Sequence, residues 1–337
     1  MIRDPILVTG GAGFLGHRLV RRLAAEGADV RVLDPDAMRV PFPGDVRRIE
    51  GSVTNRQLVH EAMEGVATVF HLAAHAGLWA ADPTVFERVN HLGTLVVLEA
   101  AQEAGIGRFI HTASEVILRG WNDPDPTPID EETIAPPLST MAGPYSRSKW
   151  RADQAVRQAI EAGVPAIILY PAVPVGPDDR RRTPPTRMLE GFLYDPPPAY
   201  LDCSLNLLAI EDIVEAHLLA ASHGRDGRRY IIGAPPVAMN DLLHVIGEVA
   251  KRPMPRRRIP FPIALAAGRL AEWQARRNEV VPTATIEGVR LARYPRRLDA
   301  SRAVEELGWR WRDPLTAVRD TIETWIAARH QPAADAK

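Results

Sequence analysis

Tyr145 and Lys149 stand four residues apart in the segment YSRSK. On a helix these two positions share one face, so the phenol and the ammonium would project side by side. A free phenol has a pKa of about 10 and is a poor base at neutral pH, whereas an adjacent cation favours its ionised form. The pair is therefore a candidate acid–base group at an alcohol or carbonyl oxygen, with Tyr145 carrying the proton.

Lysine is rare in this chain, which makes the lysine of the pair informative. Lysine and arginine together total 41, yet only Lys149, Lys251 and Lys337 are lysine. Arginine is a rigid fork that stays charged, whereas lysine has a compact ammonium that can donate to two vicinal hydroxyls while it faces a phenol. We interpret Lys149 as a position set by chemistry; an exposed pair of helical side chains is the alternative.

A glycine-rich turn lies near the start of the sequence, between a short apolar run and an amphipathic helical stripe. Gly10, Gly13 and Gly16 permit a tight turn and a close approach of the backbone to a pyrophosphate, whose charge faces the amides of the following helix. Phe14 and Leu15 open that helix. The strand before the glycines and the helix after them predict a dinucleotide-binding site rather than a simple turn.

Asp34 closes the next predicted strand, 18 residues after Gly16. A carboxylate at this point accepts hydrogen bonds from the ribose hydroxyls of adenosine and repels a 2′-phosphate. The sequence therefore predicts NAD rather than NADP, although Arg39 stands where it could approach a 2′-phosphate. A turn opened by Asp34 and Pro35 is the alternative interpretation.

The composition bounds the function. The 337 residues, 46% hydrophobic and 25% charged, suit a globular protein of about two domains. The net charge of −1 shows no overall excess of basic residues of the kind that binds nucleic acid, so we expect no nucleic-acid partner. The single cysteine, Cys203, excludes an intrachain disulfide and a cysteine-based zinc site; it favours a reducing, cytoplasmic location, and we expect no metal. No apolar run reaches the length of about 18 residues that predicts a membrane-spanning helix.

Strand-like and helix-like segments alternate over the first 170 residues, which predicts an α/β fold with a doubly wound parallel sheet. Strands are predicted at Ile6–Val8, Val30–Asp34, Thr68–Ala73, Arg108–Thr112 and Ala166–Tyr170, and helices at about 83–104 and 145–162. Pro- and Arg-rich segments follow. We expect residues 1–173 to form the cofactor domain, and a segment of about 205–232 to return to it. Residues 174–330 would form mostly a smaller C-terminal substrate lobe, and residues 331–337 a frayed tail.

Together these motifs resemble the extended short-chain dehydrogenase/reductase superfamily, which includes NAD-dependent epimerases and dehydratases. The resemblance spans about residues 1–330 and implies a Rossmann sheet with a substrate lobe. Further segments similar to the family's are Phe70-His71-Leu72-Ala73-Ala74, Asn90-His91-Leu92-Gly93-Thr94, Thr112-Ala113-Ser114, Pro171–Pro177 and Asp299–Trp309, which ends in Glu306-Leu307-Gly308-Trp309.

The resemblance implies a role for each matched residue. Ser114 would hydrogen-bond the reacting oxygen, Tyr145 would transfer the proton, and Lys149 would hold the nicotinamide ribose. Asn90 is expected to hold a water in the proton relay. The cofactor contacts implied besides Tyr145 and Lys149 are Gly10, Gly13, Phe14, Leu15, Gly16, Asp34, Ser52, Val53, Leu72, Ala73, Ala74, Pro171 and Val173. Ser52 stands where the family usually has aspartate, so the adenine contact is altered.

Other segments narrow the resemblance to a subgroup. Ala76–Pro83, Thr183–Thr186, Pro198–Tyr200 and Asn206–Asp212 are similar to proteins grouped as hopanoid-associated sugar epimerases, which are close to dihydroflavonol reductases and bacterial 3β-hydroxysteroid dehydrogenases. The chain has Arg293–Arg297 in place of the Arg-x-Gly-Asp segment with which nucleotide-sugar enzymes commonly hold a diphosphate. Ser114 is followed by Glu115-Val116 instead of the Asp-Glu pair of dehydratases, which counts against dehydration.

We therefore expect an NAD-dependent oxidoreductase that interconverts a secondary alcohol and a ketone, on an apolar (sterol, terpenoid or acyl) or sugar-like substrate. A sugar epimerase that retains NAD without net redox and a non-catalytic NAD-binding protein stay open as alternatives. The family analogy implies a homodimer. The candidate substrate contacts are His75, Leu78, Trp79, Glu115, Pro174 and Tyr200; core packing is the alternative for the apolar ones. The arginine runs at 180–182 and 256–258 are interpreted as solvated surface, with phosphate binding as the alternative.

Overall fold

The computed structural model describes residues 2–278 and 280–330. Its strands are β1 (Ile6–Thr9), β2 (Val30–Asp34), β3 (Arg47–Glu50), β4 (Thr68–His71), β5 (Arg108–Thr112), β6 (Ala166–Pro171), β7 (Val173–Val175), β8 (Ala199–Leu201), β9 (Ser204–Leu205), β10 (Leu207–Ala209), β11 (Arg229–Ile232), β12 (Val237–Ala238) and β13 (Arg257–Ile259). Its α-helices are α1 (Phe14–Ala25), α2 (Arg56–Met63), α3 (Thr84–Phe86), α4 (Gly93–Glu103), α5 (Pro144–Glu161), α6 (Pro184–Tyr194), α7 (Ile210–His223), α8 (Met239–Ala250), α9 (Phe261–Asn278), α10 (Ile286–Leu291), α11 (Ser301–Leu307) and α12 (Pro314–His330). A π-helical turn spans Glu87–Leu92, and 3₁₀ turns span Glu115–Ile117 and Leu138–Thr140.

Seven strands form one parallel sheet in the order β11-β6-β5-β4-β1-β2-β3. The order reverses between β1 and β4, because the chain leaves β1 towards one edge and returns to build the other. A crevice opens outside the carboxyl ends of the strands at such a switch point, and ligands bind there. The predicted doubly wound α/β fold is confirmed.

Burial on both faces explains why the sheet is parallel. All four residues of β1 are fully buried, and β4 is buried along its whole length. Strands covered by helices on both faces carry continuous apolar runs rather than an alternating pattern. Helices α2, α4 and α5 form one row of packed neighbours, and α1, α7 and α11 form another.

Most of the predicted strands and helices are present, but three segments differ from the prediction in their bounds or their structure. The strand predicted over 68–73 ends at His71, because the next residues leave the sheet at the crevice. The helix predicted over 83–104 is interrupted by the π-helical turn Glu87–Leu92, a feature that is frequent at functional sites. Strand β3 escaped prediction because it is an edge strand of sequence RRIE in which three charged side chains are exposed.

A second apolar cluster lies in the C-terminal part of the chain. It is built from α6, α8, α12 and short strands, with Leu189, Leu242 and Val318 among its most buried members. Strand β11 pairs with β6, and α7 packs against β5, so parts of the segment predicted to return do contact the main sheet. The boundary at residue 174 stays a prediction. The predicted tail, 331–337, lies outside the described residues.

Candidate active site

The glycine turn follows β1 directly at the switch point. Gly10 has a φ of +74°, and a Cβ there would lie 2.7 Å from the backbone nitrogen of Ala73. A Cβ on Gly16 would collide with the carbonyl oxygen of Gly10, so the start of α1 packs tightly under the turn. A Cβ on Gly13 would meet only Gly10, at 3.1 Å, which leaves that side of the turn open. The turn is therefore closely packed around Gly10 and Gly16 and open on the side of Gly13.

The N-terminus of α1 suits an anion. Gly13 is the N-cap; among the described residues no side chain caps this end, and its first turn contains no acidic residue. The helix is 12 residues long, so its unpaired amides and its dipole favour a negative charge here. This end of α1 and the open side of the glycine turn fit a pyrophosphate, as expected from the sequence.

Asp34 ends β2 beside this turn and is 1% exposed. Its carboxylate accepts hydrogen bonds from the backbone nitrogens of Ala12 at 3.2 Å and Asp36 at 2.8 Å. The Arg181 guanidinium also donates to it at 2.8 Å and to the Asp36 carboxylate at 2.8 Å. The arginine run at 180–182 is thus more than solvated surface, because its middle residue contacts the carboxylate predicted to select the cofactor.

The other predicted cofactor contacts lie at neighbouring strand ends. Ser52 follows β3, and its hydroxyl oxygen accepts a hydrogen bond from the backbone nitrogen of Thr54 at 3.2 Å. Val53 is buried and would contact a Cβ on Gly93. The segment after β4 (Leu72, Ala73, Ala74) changes from the complete burial of the strand to partial exposure. On the far side of the crevice, Pro171 ends β6, and Val173 and Pro174 belong to β7; all three are partly exposed.

Tyr145 lies in the first turn of α5, and Ser114 follows β5 closely. The Ser114 hydroxyl lies close enough to the Tyr145 phenol to lower the pKa of the phenol by hydrogen bonding. Burial outweighs this effect and raises the pKa to about 12, and the carboxylates of Glu287 and Glu115 push it in the same direction. The phenol is therefore protonated at neutral pH, so the expectation of a lowered pKa is wrong for this structure.

Lys149 lies one helical turn further along α5 and reaches the same strand end. Its ammonium donates to the carbonyl oxygen of Thr112 at 2.6 Å, and the residue is 5% exposed. Burial lowers the pKa of Lys149 to about 8, an effect that Asp153 partly opposes. Tyr145 and Lys149 thus both reach the carboxyl end of β5, which supports the predicted grouping of Ser114, Tyr145 and Lys149.

Asn90 lies in the π-helical turn and is 1% exposed. Its amide oxygen accepts from the backbone nitrogen of His75 at 2.7 Å, and its amide nitrogen donates to the His75 carbonyl at 3.3 Å and to the Ser148 hydroxyl at 3.0 Å. The Ser148 hydroxyl in turn donates to the carbonyl of Tyr145 at 2.7 Å. Asn90 thus joins the loop after β4 to the catalytic helix; the predicted water-holding role stays a prediction.

Sequence reasoning missed Glu287, which lies in α10 and is 2% exposed. Its carboxylate accepts from the backbone nitrogens of Tyr145 at 3.1 Å and Ser146 at 2.7 Å, and from the Ser146 hydroxyl at 2.6 Å. It therefore caps the start of α5 from another part of the chain, in a place where a Cβ on Gly143 would collide with it. Such a cap satisfies amides that have no partner within the helix.

Three of the predicted substrate residues, Glu115, Leu78 and Trp79, differ in their contacts. Glu115 is buried next to Ser114, and one of its carboxylate oxygens is 3.9 Å from Arg119, with no hydrogen bond to any described residue. Burial raises the pKa of Glu115, and Arg119 opposes the shift. Leu78 lies against α10, where it would contact a Cβ on Gly288 at 3.4 Å. The buried indole nitrogen of Trp79 has no hydrogen-bond partner among the described residues.

Two more of these residues have different surroundings. The His75 ring packs edge-on against Phe86 at 5.0 Å between centroids, and Phe86 packs against Tyr145 at 6.3 Å. Tyr200 lies in the second apolar cluster, where the Arg258 guanidinium donates to its hydroxyl at 3.3 Å. Within the described chain, no hydrogen bond or ring contact joins Tyr200 to the catalytic group, and its role in substrate binding stays a prediction.

The described residues contain no cluster of three or more His, Cys, Asp or Glu side chains that could hold a metal ion. None of the helices in this described part of the chain is long and apolar enough to cross a membrane.

The fold and the site together define an α/β enzyme whose sheet edge is built for a dinucleotide. Residues 6–233, more than half of the chain, match the family described as NAD dependent epimerase/dehydratase. The chain belongs to this family, which is part of the extended short-chain dehydrogenases/reductases, and its cofactor is NAD.

Relatives match over nearly the whole chain. A putative dihydroflavonol 4-reductase of Synechocystis is 32% identical over 314 residues, which cover 90% of each protein. Sterol demethylase protein B of Methylococcus capsulatus is 29% identical over 327 residues, covering 96% of this chain and 98% of the relative. The crystal structure of gox2253 superposes with a TM-score of 0.82 at 31% identity, covering 97% of this chain and 99% of that one.

Proposed function

We propose that this protein is an NAD-dependent oxidoreductase that interconverts a secondary alcohol and a ketone. One observation carries the proposal: the Lys149 ammonium donates to the Thr112 carbonyl at the carboxyl end of β5, two residues before Ser114, and the Tyr145 phenol lies close enough to the Ser114 hydroxyl for that hydroxyl to lower its pKa. A serine–tyrosine pair of this kind offers two hydroxyl groups to one reacting oxygen, beside a strand end that borders the glycine turn.

The residues of the crevice suit the cofactor. The glycine turn and the N-terminus of α1 would hold the pyrophosphate, Asp34 the adenosine ribose, and Lys149 the nicotinamide ribose. A buried carboxylate at Asp34 disfavours a 2′-phosphate, which supports NAD over NADP. When bound, the cofactor would accept hydride from the alcohol as NAD⁺ or donate hydride to the ketone as NADH.

The chain's own residues handle the proton. In ketone reduction the protonated Tyr145 phenol donates to the developing alkoxide, while the Ser114 hydroxyl donates a hydrogen bond to the same oxygen. In alcohol oxidation the phenol must first lose its proton, and it then accepts the proton of the substrate hydroxyl. The Lys149 ammonium keeps positive charge near the reacting oxygen in both directions.

The surroundings favour an apolar substrate over a nucleotide sugar. Arg296 is 7% exposed and already engaged, since it donates to the Thr127 carbonyl at 2.7 Å and lies 3.4 Å from Asp125. Arg293 packs over aromatic rings, including Phe261 at 4.5 Å. Neither arginine is free for a diphosphate, which supports the sterol, terpenoid or acyl class. The names of the relatives above, a reductase and a sterol protein, agree with this choice.

The purified protein should be incubated with NAD and a panel of sterol, terpenoid and nucleotide-sugar alcohols while NADH absorbance is followed. We expect steady NADH formation with an apolar secondary alcohol and none with Tyr145→Phe, whereas Tyr194→Phe, which changes a tyrosine of α6, should retain the rate. Epimerisation of a sugar without NADH formation would instead support the retained-NAD epimerase. Equal turnover by Tyr145→Phe and the wild type would overturn the mechanism, and NAD binding without turnover of any substrate class would favour a non-catalytic protein.

We also propose a cytoplasmic homodimer that uses the helices beside α5. Leu92, which ends the π-helical turn, and Leu95, in the first turn of α4, are 47% and 41% exposed, which supports an apolar contact at this face. Light scattering should give twice the mass of the chain for the wild type, and the mass of one chain for Leu95→Glu.

A further inference from the structure

Helix α9 presents an apolar face to solvent. Ile263, Leu270 and Trp273 are 57%, 55% and 52% exposed, and at 100° per residue they fall on one side of the helix. Val280 and Val281, just beyond the helix, are also more than half exposed. The described residues expose ten large apolar side chains in all, and five of them lie between residues 263 and 281. Isolated exposed apolar residues are common, but a continuous row of them marks an interaction surface.

The opposite side of α9 explains why this row is left outside. Ala264, Gly268 and Ala275 are buried, and α9 packs on α10 through this small-residue side. Glu272 also faces inward, since its carboxylate accepts from the backbone nitrogen of Ile286 at 2.7 Å. The helix is therefore anchored by one face, and its apolar face has no partner among the described residues.

Positive charge accompanies the apolar face. The sequence from Lys251 to Val281 holds eight basic residues and two acidic residues, Glu279 and the inward-facing Glu272. Arg269 and Arg276 are exposed on the flank of the apolar row and form no ion pair with described residues. The Arg277 guanidinium stacks over the Trp273 ring at 4.2 Å.

We propose that the outer face of α9 binds the surface of an anionic lipid bilayer, with the helix axis parallel to the membrane. An apolar stripe with tryptophan, flanked by arginines, is the pattern by which a helix lies in a bilayer interface: the apolar side chains enter the acyl boundary and the arginines meet lipid phosphates. Nucleic acid would not use the apolar row, and a protein partner would not require the excess of positive charge.

The placement connects the lipid surface to the active site. Helix α9 packs on α10, and α10 carries both Glu287, which caps the catalytic helix, and Gly288, which adjoins Leu78. An apolar molecule leaving the bilayer would thus meet the protein beside its candidate substrate residues. The lipid-binding proposal itself does not depend on the proposed reaction.

Co-sedimentation of the full chain with vesicles tests the proposal. We expect binding to vesicles of phosphatidylcholine mixed with phosphatidylglycerol, much weaker binding to phosphatidylcholine alone, and weakening by salt. Leu270→Glu should reduce the partition coefficient by roughly tenfold or more, the effect of losing one buried aliphatic side chain. Arg276→Gln should reduce it by about fivefold, as expected for one basic residue near the surface.

A matched control variant keeps the test specific. Ile134 is 90% exposed in a different segment, so Ile134→Glu should bind vesicles like the wild type. Thermal unfolding and NAD binding should be unchanged in all of these variants, because the altered side chains are exposed and belong neither to the glycine turn nor to the catalytic helix. Failure of the wild type to bind anionic vesicles, or equal binding by Leu270→Glu, would overturn the proposal. A concentration-dependent dimer that Leu270→Glu abolishes would assign the face to a second copy of the chain instead.

Discussion

The glycine turn and helix α10 both support the active site, but they differ in sequence separation. The glycine turn is built mainly from residues that are close in sequence, whereas α10 acts on a helix that lies far away along the chain. Gly13 and Gly16 pack against the backbone of the same turn, and only Gly10 also reaches another segment, the backbone of Ala73 after β4. Glu287 acts on Tyr145 across 142 positions of sequence. The comparison shows that cofactor binding is built from local geometry, whereas the position of the catalytic phenol depends on a remote part of the chain.

The largest effect is expected where the local geometry is tightest. Gly16→Ala places a methyl group against the carbonyl of Gly10, and we expect a distortion of about 1–3 kcal/mol, as at other overpacked sites. NAD binding should weaken by roughly 5- to 150-fold, which isothermal titration calorimetry would measure. Gly191→Ala is the matched control, since a Cβ there would have no neighbour within 4 Å; equal NAD affinity in the two variants would show that the turn is not the binding site.

The pH dependence tests the protonation state of the pair. Burial raises the pKa of Tyr145 to about 12, so the phenol keeps its proton at neutral pH and is ready to donate. Alcohol oxidation, which needs the ionised phenol, should accelerate by up to about tenfold per pH unit below that pKa, while ketone reduction should stay level. Lys149, whose pKa burial lowers to about 8, should lose its proton above that pH, and the KM for NAD should then rise. Oxidation and reduction rates with the same pH slope would contradict this assignment.

Glu287→Gln tests whether the remote cap positions the phenol. Loss of the carboxylate misplaces the start of α5, and we expect kcat to fall by about tenfold, within the range for small displacements of a catalytic group. Removal of the negative charge should also shift the oxidation profile to lower pH, because that charge raises the pKa of Tyr145. A purely structural residue would lower stability without moving the profile. Glu305→Gln, which changes an exposed carboxylate of α11, is the control. If the pH profile of alcohol oxidation were the same in Glu287→Gln and the wild type, Glu287 would not act on the catalytic phenol.

The smallest effect is expected at Arg181, whose side chain is 42% exposed. Its guanidinium occupies an oxygen of Asp34, so Arg181→Gln should free that carboxylate and strengthen NAD binding by less than about fivefold, as for other partly exposed ion pairs. The ratio of NADP to NAD affinity should fall at the same time, because a positive charge near the ribose is lost. Arg182→Gln, which removes an ion pair with Glu190, should leave both affinities unchanged; a rise in that ratio for Arg181→Gln would contradict the assignment.

Much of the molecule could be predicted because its signals are local. The strand ends at Asp34 and Thr112 were located from apolar runs, and the parallel sheet from the alternation of strands and helices. The π-helical turn around Asn90 was not predictable, because nothing in its sequence, ERVNHL, distinguishes a π-helical turn from an α-helical one. Arg181 was interpreted as surface because its run of arginines has no local pattern that points to Asp34.

The sequence by itself determined the glycine turn, the carboxylate at Asp34 and the four-residue spacing of Tyr145 and Lys149, because each depends on bonds and turns within a few residues. Only the tertiary structure decided that Glu287 caps the catalytic helix and raises the pKa of Tyr145, and that α9 turns its apolar row outward. Both features depend on which distant parts of the chain come into contact on folding, and the residue spacing within α9 or α10 alone does not determine those contacts.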